Sequence, residues 1–234
     1  MTTRTTSNRS TGKNSNFFDG FFEEFRCSPA KTSIKIVLIG DGETGKTSYF
    51  SSIANSENPD YRFTKVYDAT RGCNICQMEF MIGKYPVTIH LFDTAGQEKF
   101  GMLRDSYIMG ADGIILMYDL SIGQTKQSVL TQWIPNVKKV LKETGEKSRI
   151  PIAVVGNKSD KTEGNTDRPG IRSSTLLGAY ESFRFGQIEH FYVSVKADEN
   201  MMDPINWLLK NILSYITPVN AKRAKRPANI MMCN

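Results

Sequence analysis

The run Gly40-Asp41-Gly42-Glu43-Thr44-Gly45-Lys46-Thr47 has the spacing of a loop that holds phosphate groups, the P-loop pattern. Its glycines let the backbone curl around phosphate oxygens with N–H groups turned inward, and a helix starting at its end adds a positive pole. Lys46 is expected to reach the β- and γ-phosphates and the Thr47 hydroxyl to bind Mg²⁺, with Asp41, Gly42, Glu43, Thr44, Gly45 and Ser48 around the phosphates. The plainer reading is a glycine-rich turn with an accidental lysine, which the preceding apolar run and following helical stretch disfavour. Asp93 closes another apolar run, where its carboxylate can face the same ion through water. The next residues are Thr94-Ala95-Gly96-Gln97. Gly96 offers a backbone N–H to a γ-phosphate, and Gln97 is placed to orient an attacking water. Alone, such a strand end would read as a turn.

Phosphate loops serve adenine and guanine nucleotides alike. Asn157-Lys158-Ser159-Asp160, after a third apolar run, favours guanine. A fixed carboxylate at Asp160 can accept both the ring N–H and the exocyclic amine of guanine. Adenine presents no such pair and would leave the carboxylate unpaired, a penalty on the order of 10⁴-fold in a well-built site. Asn157 is expected to brace the surrounding loops and the Lys158 stem to lie against the base. Ser194, Val195 and Lys196, beyond the next strand, would add backbone and lysine contacts.

These groups need a scaffold, and the apolar patterning supplies one. Ile34–Ile39 reads as a buried strand, and similar runs recur at Val87–Phe92, Gly113–Tyr118, Ile150–Val155 and Glu189–Ser194. Helical spacing between them, as in Gln124–Leu141, predicts an α/β fold: a mainly parallel sheet with helices on both faces. A last helix is expected from Asp203 as cap and Pro204 at its first position, burying Ile205, Leu208, Leu209, Ile212 and Ile216.

The 234 residues are 39% hydrophobic and 23% charged, with a net charge of +6, which suits an ordinary globular chain of one or two domains. No apolar run approaches the roughly 18 residues of a membrane-spanning helix. The polar start is unlike a secretory signal peptide, and four scattered cysteines fit a reducing, intracellular compartment.

Taken together and in this order, the four motifs resemble those of the Ras-superfamily small GTPases over about residues 32–216. The resemblance implies a P-loop G domain with a six-stranded sheet, binding GTP and GDP with Mg²⁺. It also implies hydrolysis that is slow until an activating protein helps, with Gln97, Lys46 and Thr70 as the catalytic residues. The run from Asp93 to Tyr107 is most similar to the Ran branch, and Val66-Tyr67-Asp68-Ala69-Thr70-Arg71-Gly72 resembles Ran's first switch. That likeness makes Thr70 a Mg²⁺ ligand beside Thr47 and Asp93, and puts Phe63, Lys65 and Tyr67 along the nucleotide. It further implies an exchange factor, an activating protein, karyopherin-like effectors, a monomeric state and residence in nucleus and cytoplasm. Nucleic acid is not an expected partner. The chain departs from Ran in a longer 48–67 segment, an inserted-looking 161–174 loop and a basic end. A Rab-like trafficking role is the alternative, and Cys233, second from the end, does not match a prenylated C-a-a-X cysteine. A second alternative is a nucleotide-loaded scaffold that barely cycles; Gln97 argues against it.

Residues 1–31 form an expected N-terminal extension in which Phe17, Phe18, Phe21, Phe22 and Phe25 share one helical stripe. It could pack on the G domain, stay disordered, or dock a partner or membrane surface. The basic tail, 217–234, could be an import signal, an acidic-surface contact or simply solvated. Cys73 and Cys76 would point to opposite faces of a strand and cannot chelate one ion. His90 and His190 are expected to be structural.

Overall fold

A computed structural model describes residues 33–55, 73–82, 85–94, 101–144, 150–162, 175 and 187–214. Their elements follow in the order β1 (Ser33–Ile39), α1 (Lys46–Ala54), β2 (Cys73–Ile82), β3 (Tyr85–Thr94), α2 (Gly101–Ile108), β4 (Gly113–Asp119), α3 (Gly123–Ser128), α4 (Ile134–Glu143), β5 (Ile152–Asn157), β6 (Ile188–Tyr192) and α5 (Asp203–Ser214). The strands form one six-stranded sheet in the order β2-β3-β1-β4-β5-β6. Five strands run parallel, while β2 pairs antiparallel with β3 at one edge.

Strand alternation sorts the core onto two faces. From β1, Ile34, Ile36 and Leu38 join Tyr49 and Ile53 of α1 and Ile205, Leu208 and Leu209 of α5. Val37 and Ile39 point the other way, toward Ile108 of α2 and Val137, Val140 and Leu141 of α4. Each buried aliphatic side chain contributes roughly 1.5–3 kcal/mol, so a sheet covered on both sides is the stable arrangement for strands this apolar.

The helical stretch after β4 is not a plain α-helix. Between α3 and α4, Val129–Trp133 form a π turn, and the Ile134 N–H bonds back to the Val129 carbonyl. Pro135 follows at once, in the first turn of α4. Proline lacks an N–H and crowds the carbonyl one turn back, so a widened turn before it removes the clash an unbroken α-helix would suffer.

The strand expected at Ile150–Val155 is found at Ile152–Asn157, and that at Glu189–Ser194 is found at Ile188–Tyr192. Ile150 and Pro151 are buried but lie ahead of the strand. Ser194 instead forms an isolated bridge with Glu199. Helix α5 begins at Asp203, the residue expected to cap it. Its Ile216, the extension at 1–31, the tail at 217–234 and most of the 48–67 and 161–174 segments lie outside the described residues.

Candidate nucleotide site

β1 ends at Ile39, and the chain turns through Gly40 to Gly45 before α1 starts at Lys46. Two glycines there cannot be replaced without strain. Gly40 (φ +140°) runs so close to β4 that a Cβ would sit 2.0 Å from the Met117 carbonyl oxygen. Gly45 (φ +93°) would drive a Cβ to 2.3 Å from Asn157 Nδ2. The loop is thus pressed against β4 at one end and against the turn after β5 at the other.

Lys46 is 5% exposed. Its Nζ donates to the carbonyls of Gly40 at 2.9 Å and Asp41 at 2.6 Å. Burial pulls its pKa down to about 8, against the opposing pull of Asp93 and Asp41. At neutral pH the ammonium therefore remains mostly charged, buried and directed at the loop.

Asp93, one residue before the end of β3, is fully buried. Burial raises its pKa, while hydrogen bonding from Thr47 and the charge of Lys46 work against that rise. Asn74 Nδ2 donates to Asp93 Oδ2 at 3.4 Å, but Oδ1 is buried with no hydrogen-bond partner. A buried carboxylate oxygen left unpaired is costly. A hard divalent cation would satisfy it, and the Thr47 hydroxyl is a second oxygen donor of the kind Mg²⁺ takes. Among the described residues no group of three His, Cys, Asp or Glu is assembled for a metal. Cys73 and Cys76 carry free thiols, and burial raises the pKa of both.

The opposite end of the site is held by side chains. Asn157, at the end of β5, donates from Nδ2 to the Thr44 carbonyl at 2.9 Å. Its Oδ1 accepts from the backbone N–H of Lys158 at 2.7 Å and of Val195 at 3.3 Å. One amide thus joins the phosphate loop, its own turn and the 194–197 turn. Asp160 Oδ1 accepts from the Ser194 hydroxyl at 2.7 Å, and Oδ2 pairs with Lys196 Nζ at 3.2 Å. Burial would raise the Asp160 pKa, but these two partners more than offset it and hold the carboxyl below its usual range. A carboxylate has about four lone-pair sites, and Ser194, Lys196 and the residue's own backbone N–H do not use them all, which leaves room for a ligand's donor.

Lys158 adopts a left-handed backbone (φ 66°) that sends its side chain back across the site. Its Nζ donates to the Glu43 carbonyl at 2.8 Å and pairs with Asp119 Oδ2 at 2.7 Å. Asp119 ends β4 beside Asn157 in the sheet register, and its Oδ1 accepts from Ser121. Burial opposes ionisation of Asp119, but Lys158 and Ser121 outweigh it and lower the pKa. Sequence reading did not single out Asp119; its signal was a carboxylate closing the Gly113–Tyr118 apolar run, as Asp93 closes Val87–Phe92. A second contact it missed runs from the Trp133 indole to Asp41.

A cavity of about 380 Å³ lies between the two ends, lined by Gly45, Ser48, Asn157, Lys158, Asp160, Lys161, Val195 and Lys196. Of the residues expected to serve the site, Phe63, Lys65, Tyr67, Thr70, Gly96 and Gln97 lie outside the described residues. The structure brings together the others: the 41–48 loop, Asp93, the 157–160 turn and the 194–196 turn. When the chain is compared with models of known protein families, residues 35–214 match the one described as the Ras family.

Proposed function

This chain belongs to the Ras family of small GTPases, and from that premise we propose that it is a Mg²⁺-dependent, Ran-like switch that alternates between GTP and GDP. The observation that carries the reading is the shared cavity, with Gly45 and Ser48 of the phosphate loop on one side and Asp160 and Lys196 on the other. A ligand spanning it needs phosphates at one end and paired ring donors at the other, as a guanine nucleotide has.

Lys46 and the loop N–H groups would stabilise charge on the transferring phosphoryl group, and Gln97 would orient the attacking water. Thr47 and Asp93, with Thr70, would hold Mg²⁺, which neutralises charge on the β- and γ-phosphate oxygens when bound. Thr70 and Gly96 belong to segments that a γ-phosphate would order and hydrolysis release. The reading includes an exchange factor, an activating protein that supplies an arginine, karyopherin-like effectors, and action as a monomer in nucleus and cytoplasm.

Single-turnover hydrolysis by wild type and Gln97→Leu, each with and without cell extract as a source of activating protein, tests the chemistry. The variant is expected to retain nucleotide and lose hydrolysis by about 10²-fold or more. Equal rates in both conditions would remove Gln97 from its role. A pull-down with the GTP-locked protein tests the pathway: karyopherins support the Ran-like role, whereas membrane-tethering factors would replace it with a Rab-like one.

A further inference from the structure

Trp133 and Asp41 lie 92 positions apart, yet the indole Nε1 donates to Asp41 Oδ1 at 2.7 Å. Trp133 is 3% exposed and packs with Val37, Ile39 and Tyr118 on one face of the sheet. It is the last residue of the π turn, so the widened turn sets where the ring points. Indole is a donor with no acceptor, mounted here on a rigid buried ring.

Asp41 has two separate duties in the loop. Its backbone carbonyl accepts from Lys46 Nζ at 2.6 Å and from Thr44 Oγ1 at 2.9 Å, which closes the turn. Its side chain brings a negative charge into a loop that, on the reading above, collects phosphate. That charge is near enough to act on Lys46, yet the ammonium bonds to the two carbonyls and not to the carboxylate. A carboxylate free to turn would compete with phosphate for the same ammonium, since both make strong charge-assisted bonds to it.

We propose that the Trp133 N–H is a positioning group that ties the Asp41 carboxylate to the helical side of the loop and leaves Lys46 to the phosphates of a guanine nucleotide. The inference rests on Lys46 being the phosphate-binding lysine of the proposed switch. It differs from a packing role in one respect: what matters is the restrained charge, so the effect of losing the N–H must depend on Asp41 being ionised.

The test is the release of a fluorescent GDP analogue from the full chain loaded with Mg²⁺, in wild type, Trp133→Phe, Asp41→Asn and the double variant. Trp133→Phe keeps an aromatic ring and removes the donor, and is expected to speed release roughly tenfold, the scale of one hydrogen bond to a charged group. In the Asp41→Asn background the same change is expected to speed release less than about twofold, because the coupled charge is gone. Similar acceleration in both backgrounds would assign the effect to packing, and no acceleration in either would show that the N–H restrains nothing of consequence. Either result overturns the inference while leaving the GTPase reading intact. A wild-type chain that retains no GDP analogue overturns both. Should circular dichroism show that Trp133→Phe is unfolded, benzothienylalanine at position 133, with sulfur in place of the N–H, gives the same comparison with the ring shape kept.

Discussion

The phosphate loop and the base-side turns both follow the C-terminal ends of parallel strands in one sheet, but different parts of the chain shape them. From Gly40 to Lys46 the form is set by backbone: two glycines at positive φ, and a lysine bonded to two carbonyls. At 157–160 and 194–197 it is set by side chains, with Asn157, Asp160, Ser194 and Lys196 bonded to one another or to nearby backbone. Backbone form tolerates changes in most side chains but no added Cβ at its glycines. A side-chain net has the opposite weakness: single atoms matter, and their exchange can redirect recognition without disturbing the fold. Asn157 and Lys158 join the two, through the carbonyls of Thr44 and Glu43.

The sharpest way to expose that difference is Asp160→Asn. The amide could donate to the added carbonyl of xanthine, where the carboxylate is proposed to accept from guanine. Guanine preference over xanthine is expected to fall by on the order of 10⁴-fold, with only a small drop in melting temperature from loss of the largely exposed Lys196 pair. Competition binding with GTP, XTP and ATP reads it, and a wild type that binds ATP as tightly as GTP would refute the recognition assigned to Asp160.

Gly45→Ala should act at the joint between the two regions. Its Cβ would meet Asn157 Nδ2 at 2.3 Å, the nitrogen that donates to Thr44. About 2 kcal/mol of strain is expected, with nucleotide affinity reduced by tens of fold, as measured by thermal melting and calorimetric binding. Lower stability with unchanged affinity would mean that the two ends work independently.

The effect expected to be least on nucleotide binding concerns His190, which lies on β6 and acts on stability alone. The Tyr118 hydroxyl faces its Nε2 at 2.7 Å, and burial, aided by Lys126, lowers its pKa to about 4. The folded imidazole stays neutral while the unfolded one takes a proton below about pH 6.5, so this contribution is lost as pH falls from there toward 4. The loss is at most about 3 kcal/mol by the size of the shift. Asp119 and Asp160, whose pKa values are lowered, stabilise above the usual carboxylate range and fade only in stronger acid. Asp93, raised by burial, works in the opposite sense and gains stability on protonation. Urea melts at pH 7 and pH 5 should therefore show a smaller acid loss for His190→Gln than for wild type. Equal losses would place the acid sensitivity elsewhere.

What could be read from sequence follows the same division. The phosphate loop was legible because glycine and lysine at fixed spacing leave few other uses for the backbone. The strands were legible from apolar runs, but their limits were not: Ile150 and Pro151 are buried without belonging to β5, since burial and ladder pairing are separate conditions. Asp119 and Trp133 act on residues far away in the chain, and no local pattern announces such partners. The interruption in the Gln124–Leu141 stretch had one local sign, Pro135, which a 3.6-residue apolar spacing overlooks.

That interruption also bears on how such a chain can change by inheritance. A π turn contains one residue more than an α turn over the same helical path. Loss of one codon within 129–133 would thus be the length change that leaves α3 and α4 facing the sheet as before. Straightening the turn without losing a residue would instead rotate α4 by roughly 100° and carry Val137, Val140 and Leu141 away from the core. Pro135 obstructs the first route, because in an unbroken α-helix it would cost about 3 kcal/mol. A descendant could discard the extra residue readily only after the proline had been replaced, so the order in which those two mutations occur is constrained by the shape of a single turn.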